Sequence, residues 1–398
     1  MPRSPMRILI VDDCDEDRDL FKRMLLHDTV HQYTVFEAET GQQGCGLIVR
    51  EQPHCILLDY RLPDMDGLQI LDKIRESHAE VEMPAVVFLT SHGNESLAVA
   101  AMRKGAIDYL AKATITGEEL LGCIRRVVAR KKNVQRSRRH QEKTRRELDA
   151  TMQQLRVAGE IQRAMLPGRA PSVPGFDFAA GCIPAAATGG DFFDYIPMID
   201  GRWGLVMGDV VGHGLGPALL ATETRAYLRA FSRNLTSPGA VLVATNQLIY
   251  EDTCGHRFVT LFFGILDPPR RQLQFCGAGH RAFVLCSTGE VLQIDSEQPP
   301  VGLDLEFVRD RNRQITLQPG DIFLLMTDGI TESARQGEHS PWPRRMFGQA
   351  RAIDFLEKNR YQSAEQLVAG LFQKVRQYTK RSRQDDDMTM MIVKTLAD

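Results

Sequence analysis

A chain of 398 residues with 49 Lys and Arg against 51 Asp and Glu, net −2, has no overall charge to bias it towards nucleic acid or a membrane, and it is long enough for two or three domains with their own cores. Its eight cysteines are scattered, without a CxxC pair or zinc-ligand spacing, which argues against a disulfide framework and for a reducing compartment. The N-terminus MPRSPMRILIVDD shows no secretory-signal pattern and no apolar stretch reaches the roughly 20 residues of a membrane helix, so we expect a soluble, cytoplasmic protein without membrane contact.

Residues 6–124, the first expected domain, alternate short apolar runs with amphipathic stretches. Strands are expected at Arg7–Val11, Tyr33–Glu37, Cys55–Leu58, Ala85–Leu89 and Ala106–Leu110, with helices such as Glu16–Leu26 and Leu68–Ser77 between them. The alternation predicts a doubly wound α/β domain with a five-stranded, mostly parallel sheet, whose cleft lies at the carboxyl ends of the strands. Those ends carry Asp12 and Asp13, then Asp59, then Thr90, with Lys112 just past the fifth. Acids that hold Mg²⁺, a lysine that neutralises phosphoryl oxygens and a hydroxyl that forms a new hydrogen bond suit phosphoryl transfer. For Asp12 and Asp13 alone, an acidic rim that solubilises a sheet edge is the plainer reading.

The run from ILIVDD through LLDYRLPDMDG, FLTS and GAIDYLAK resembles the receiver domain of two-component response regulators. The resemblance implies that Asp59 accepts a phosphoryl group from a sensor histidine kinase. It also implies that Asp12, Asp13 and Asp59 hold Mg²⁺ with the carbonyl of Arg61, that Lys112 contacts the phosphate, and that Thr90 and Tyr109 form a switch pair. Ala113 stands where receivers usually have proline, so the loop beside Lys112 departs from the pattern.

Residues 125–166 read as a long connecting helix, since no proline interrupts before Pro167. Its first part, Arg125 to Arg146, is Arg, Lys, Gln and His with almost no acids. We read it as a solvated face and expect no nucleic-acid contact, because interleaved aromatics and a helix-turn-helix are missing. Leu148, Met152, Leu155 and Ala158, then Ile161 and Met165, form a short apolar stripe that suits a homodimer but is too brief for a sustained coiled coil.

Residues 167–398 change texture to short, glycine-rich strands, with helices expected at Gly216–Phe231, Pro238–Tyr250 and Ala364–Tyr378, which argues for an α+β domain. Acids fall at strand ends in four blocks. TGGDFFDY holds Asp191 and Asp194, GDVVGHG holds Asp209, LLMTDGITES holds Asp328, and RQDDDMTMMIV holds Asp385, Asp386 and Asp387. None has an obvious basic partner nearby, and carboxylates that converge without counter-charge call for a hard cation.

In this order, and with GEIQRAMLP at 159–167, FVTLFFGILD at 258–267, GAGH at 277–280 and PPVGL at 299–303, the blocks resemble the metal-dependent PPM (protein phosphatase 2C-like) serine/threonine phosphatases, in their bacterial SpoIIE/RsbU-like branch. The resemblance covers roughly 159–396. It implies a β-sandwich of two antiparallel sheets flanked by helices, with two Mn²⁺ or Mg²⁺ ions at one end. Asp209 would bridge the ions, the Val210 carbonyl would join it, and Asp328 and Asp386 would complete the set. Asp191 would bind directly or through a held water, and Asp194 and Asp387 would orient these ligands. Two such ions activate a water for attack on phosphorus, so no protein nucleophile is needed. Consistent with that, Cys182, Cys254, Cys276 and Cys286 lie in no CxxxxxR loop. His213 and His280 are equally placed to act or to pack locally, Thr327 and Glu332 flank Asp328, and 335–345 reads as a loop insert beside the site.

The composite expectation is a response regulator whose output is dephosphorylation of phosphoserine or phosphothreonine proteins. The resemblance implies a phosphorylated STAS-type anti-sigma factor antagonist as substrate. The alternative is a non-catalytic adaptor binding a sigma-regulatory partner. Asp191, Asp209, Asp328 and Asp386 argue against it, because an adaptor has no need of uncompensated acids.

Overall fold

The computed structural model describes residues 5–77, 83–91, 95–306, 309–335, 345–380 and 384–397, in two compact units, Met1–Leu148 and Asp149–Asp398. Only the two end residues of the expected insert 335–345 fall within the described residues.

The first unit runs β1 (Met6–Val11), α1 (Asp15–Leu26), β2 (Tyr33–Ala38), α2 (Gly41–Glu51), β3 (Cys55–Asp59), α3 (Gly67–Ser77), β4 (Ala85–Thr90), α4 (Glu95–Lys104) and β5 (Asp108–Ala111). The strands form one parallel sheet in the order β2-β1-β3-β4-β5. Alternate residues enter opposite layers. Ile8, Ile10, Leu57 and Val87 pack with Phe21 and Leu25 of α1, while Leu9, Val11, Ile56 and Val86 pack with Ile48 of α2 and Ile70 and Ile74 of α3. Burial on both faces is why these strands are continuously apolar. β5 starts two residues later than expected. Gly105, at φ +112°, turns the chain out of α4, and the Ala106 N–H still donates to the Ala101 carbonyl.

α5 (Gly117–Met165) is a single helix of 49 residues. Leu120, Cys123, Ile124 and Val127 bury its start against the first sheet. From Arg136 to Gln154 it is exposed throughout, with Arg138–Glu142 and Lys143–Glu147 pairs one turn apart on its surface. It ends two residues before Pro167, which cannot continue a helix.

The second unit contains β6 (Phe176–Ile183), β7 (Phe192–Pro197), β8 (Trp203–Val210), α6 (Leu215–Phe231), α7 (Pro238–Thr253), β9 (Val259–Asp267), β10 (Gln272–Ala278), β11 (Ala282–Leu285), β12 (Val291–Ile294), β13 (Arg313–Thr316), β14 (Ile322–Met326), α8 (Asp328–Thr331), α9 (Gln349–Lys358), α10 (Ala364–Thr379) and β15 (Met388–Thr395). Two antiparallel sheets, ordered β13-β10-β9-β8-β7 and β12-β11-β14-β15-β6, form a sandwich. Phe178, Tyr195, Met207, Phe262, Phe275, Phe323 and Met391 fill the layer between them, each fully buried phenylalanine stabilising by about 1.5–3 kcal/mol. α6 and α7 cover the outer face of one sheet and α9 and α10 that of the other. A capping box between Ser363 and Gln366 starts α10.

Candidate active sites

In the first unit the acids gather at the carboxyl ends of β1 and β3, beside the point where strand order reverses. Asp12, Asp13 and Asp59 offer carboxylate oxygens that all lie within 4.8 Å of one another, the one such trio among the described residues. Lys112 Nζ stands 2.6 Å from Asp12 Oδ2, 2.7 Å from Asp59 Oδ1 and 3.0 Å from Asp17 Oδ2. Burial pushes the Asp12 carboxyl up against the opposing pull of Lys112 and the Cys14 N–H. Burial would lower the Lys112 ammonium, but Asp12 and Asp59 hold it above its ordinary value. The Arg61 N–H donates to Asp59 Oδ2 at 2.7 Å, which draws the 59–61 turn over the site. Thr90 ends β4, buried, and its carbonyl accepts from the Lys112 N–H at 2.9 Å. Tyr109 is 47% exposed on β5. Sequence reasoning missed Asp17 and the buried Arg18, which donates to the Asp12 carbonyl at 2.7 Å. Both read simply as charges in the first turn of α1.

In the second unit Asp209 stands at the end of β8, and Val210 closes the strand. The turn that follows needs glycine, with Gly212 at φ +97° and Gly214 at φ +94° before α6 begins. Asp191 is buried, and its Oδ2 accepts from the Thr327 hydroxyl at 2.8 Å. Thr327 is the residue before α8, so the same short turn presents Asp328. Asp386 and Asp387 lead into β15. Asp387 accepts from the Ala185 N–H at 2.7 Å, the Gly190 N–H at 2.6 Å and the Asp191 N–H at 3.3 Å, as an acid orienting the Asp191 loop does. The packing there is backbone on backbone. A Cβ on Gly190 would sit 2.8 Å from the Val210 carbonyl oxygen, and one on Gly329 would sit 1.8 Å from that of Asp387.

The acids feel one another. Burial, then the charges of Asp328 and Asp386, push Asp209 up to about 7. Burial, then Asp209, push Asp191 well above the carboxylate range. Asp386 is raised by burial, with Asp328 and Asp387 adding and the Asp387 N–H opposing. Glu332 is raised by burial and by Asp328 and Asp386. Among the described residues no lysine or arginine pairs with Asp191, Asp209, Asp328 or Asp386, and no three of these acids bring ligand atoms within 4.8 Å of one another.

Asp194 corrects the expectation. Its buried carboxylate is paired with Arg225 Nε at 2.9 Å and Arg229 Nη2 at 2.8 Å, one turn apart on α6, so it ties that helix to β7 and orients no member of the acid set. His213 is exposed. His280 is buried, with Nδ1 3.5 Å from Thr260 Oγ1 and burial bringing its imidazole down to about 4. Gln162 was missed. It bonds the loop before Asp191 and lies within GEIQRAMLP, a block with no role assigned from sequence.

A doubly wound sheet carrying an acid trio and a lysine, and a helix-flanked antiparallel sandwich carrying four carboxylates without a lysine or arginine partner among the described residues, define a receiver domain and a PPM-type phosphatase domain on one chain. Residues 8–125 belong to the response regulator receiver domain family. Residues 199–396 belong to the family of Stage II sporulation protein E (SpoIIE), a match that begins downstream of Asp191. The chain is 27% identical over 271 residues to Protein IcfG of Synechocystis sp., covering 60% of this chain and 41% of that protein. It is 38% identical over 105 residues to Transcriptional regulatory protein SrrA of Staphylococcus aureus, covering 26% of this chain and 41% of that protein. It thus spans about two fifths of the length of these curated relatives. The SiaA-PP2C domain of Pseudomonas aeruginosa superposes with a TM-score of 0.55 at 26% identity, covering 63% of this chain and 99% of that domain. No helix among the described residues is long and apolar enough to cross a membrane.

Proposed function

We propose that the chain is a response regulator whose second domain removes phosphate from phosphoserine or phosphothreonine proteins. The observation that carries this is the set Asp191, Asp209, Asp328 and Asp386, where burial and neighbouring acids push Asp191, Asp209 and Asp386 up and no lysine or arginine among the described residues pairs with any of the four. Hard oxygen donors of this kind fit Mn²⁺ or Mg²⁺. Asp209, the Val210 carbonyl, Asp328 and Asp386 would hold two such ions, with Asp191 joining directly or through water. When bound, the ions would supply Lewis acidity and an activated water. The chain's part is to hold the carboxylates in place. Thr327 fixes one oxygen of Asp191, and Asp387 fixes the backbone on either side of Gly190.

In the receiver, Asp12, Asp13, Asp59 and the Arg61 carbonyl would hold Mg²⁺, Asp59 would take the phosphoryl group from a sensor histidine kinase, Lys112 would neutralise it, and Thr90 and Tyr109 would report it. We assign domain limits of 6–124, 125–166 and 167–398. A homodimer through the exposed Leu148, Met152, Ile161 and Met165 of α5 is part of this reading, as is the cytoplasm, which suits eight free cysteines. The shared SpoIIE/RsbU-like motifs support a phosphorylated STAS-type anti-sigma factor antagonist as substrate. The test is phosphate release from such a protein with Mn²⁺ and after EDTA. Metal-dependent release supports the enzyme, and tight binding with none returns the adaptor.

A further inference from the structure

A cleft of about 590 Å³ opens from Asp209 and Asp328. Phe283 and Met326 give it an apolar lining, and among its lining residues Arg281 is the one cation, set among Asp209, Asp295 and Asp328. A hydrogen-bonded rim holds this arginine. Arg281 Nε donates to Asp295 Oδ1 at 2.7 Å, Gln293 Nε2 donates to the same oxygen at 2.9 Å, and Gln349 Nε2 donates to Gln293 Oε1 at 3.2 Å. Asp295 thus grips the Nε edge of the guanidinium, and the terminal nitrogens make no other bond among the described residues. That leaves a fork shaped for a carboxylate.

The sheet register sets the span. Asp209 lies opposite Thr260 on β9, and Gly279, just past the end of β10, bridges to Leu261. Two strand spacings, about 10 Å, therefore separate the backbone of Asp209 from the Gly279–Arg281 segment. On the other sheet Ala282 pairs with Leu325, which sets Arg281 one strand across and two residues along from Asp328, about 8 Å. With its guanidinium tied to Asp295, Arg281 is offset from the acids along the cleft by this backbone span. An extended peptide advances about 3.3 Å per residue, so a side chain three residues from the phosphorylated one reaches it.

We propose that Arg281 is a specificity-determining residue of this cleft, selecting phosphoproteins with an Asp or Glu about three residues from the phosphorylated serine or threonine. The inference rests on the phosphatase reading above. The test uses the full chain with Mn²⁺ and phosphoserine peptides in which one glutamate moves residue by residue through an alanine background. Each kcat/KM is divided by that of the peptide without glutamate. We expect one position, three residues away on one side, to raise the ratio by roughly three- to fivefold, the upper part of the range of an exposed charge pair. Arg281→Gln should flatten this profile, Arg281→Lys should keep part of it, and Arg281→Glu should prefer lysine at the same position. A flat wild-type profile, or one unchanged in Arg281→Gln, overturns the assignment. p-Nitrophenyl phosphate separates the two failures. If it is hydrolysed while the profile is flat, only the role of Arg281 falls, and if neither it nor any peptide is hydrolysed, the phosphatase reading falls as well.

Discussion

The side chain of Gln162 and the backbone of Gly189 are joined by two hydrogen bonds, Nε2 donating to the Gly189 carbonyl at 2.7 Å and the Gly189 N–H donating to Oε1 at 3.1 Å. Nε2 also lies 3.3 Å from the Ala218 carbonyl in the first turn of α6. One turn earlier in α5, a Cβ on Gly159 would lie 1.8 Å from the Ala187 carbonyl oxygen. The last turns of α5 therefore hold the segment two residues before Asp191. Gln162→Ala leaves those backbone groups unpaired, at about 1 kcal/mol per bond, each roughly fivefold in an equilibrium. We expect the Mn²⁺ concentration for half-maximal phosphatase rate to rise by roughly five- to thirtyfold, with Gln162→Glu intermediate. A metal titration that superposes on wild type would refute the positioning role.

Gly329 admits no side chain, because its Cβ would collide with the Asp387 backbone. Gly329→Ala should destabilise the second unit by about 2–3 kcal/mol, read as a lower urea midpoint. Gly46, exposed in α2 with nothing within 4 Å of a Cβ, provides the opposite sign. Gly46→Ala should stabilise the first unit by about 0.5–1 kcal/mol, the helix-propensity difference.

Removing one carboxylate from the acid set should remove a metal ligand and relieve repulsion at once. Asp209→Asn and Asp328→Asn should each lose turnover while the melting temperature holds or rises, since burial and like charge already disfavour ionised Asp209. Near-wild-type rates in either variant, or full activity after exhaustive chelation, would sink the two-ion reading.

Asp59 should be the single phosphoacceptor of the first unit, because Lys112 and the Arg61 N–H converge on its two oxygens. Acetyl phosphate with Mg²⁺ should add one base-labile phosphoryl group to wild type and none to Asp59→Asn, as intact-mass measurement reports. Labelling that persists in the variant would move the site elsewhere.

Communication between the sites is expected to use α5, the helix common to both units. Beryllofluoride should change the phosphatase rate of the parent, upwards by our reading, and a short Gly-Ser insertion after Glu147 should abolish the response. A helix interrupted by flexible residues cannot carry a rotation. An unchanged response in the insertion variant would rule out transmission through a continuous helix.

The alternation of apolar runs and amphipathic stretches was enough to place the five strands of the parallel receiver sheet, and uninterrupted helix formers were enough to join 117 to 165. Both signals are local, arising from burial with a period of two or 3.6 residues. Aspartates at strand ends were legible for the same reason, since strand ends in such folds converge on a site. Which acids share a space was not legible. Asp194 and Asp191 sit three residues apart in one block, yet Asp194 is neutralised by Arg225 and Arg229 on a helix whose angle only packing sets. Asp387 was expected to orient its neighbours, but that it grips Ala185 and Gly190, some 200 residues away, depended on β15 pairing with β6. Gln162 and Arg281 had no local mark at all, one a polar helix residue and the other a charge after a glycine turn. Their meaning comes from contacts made when separate elements close on one another, and the tertiary structure alone decided those.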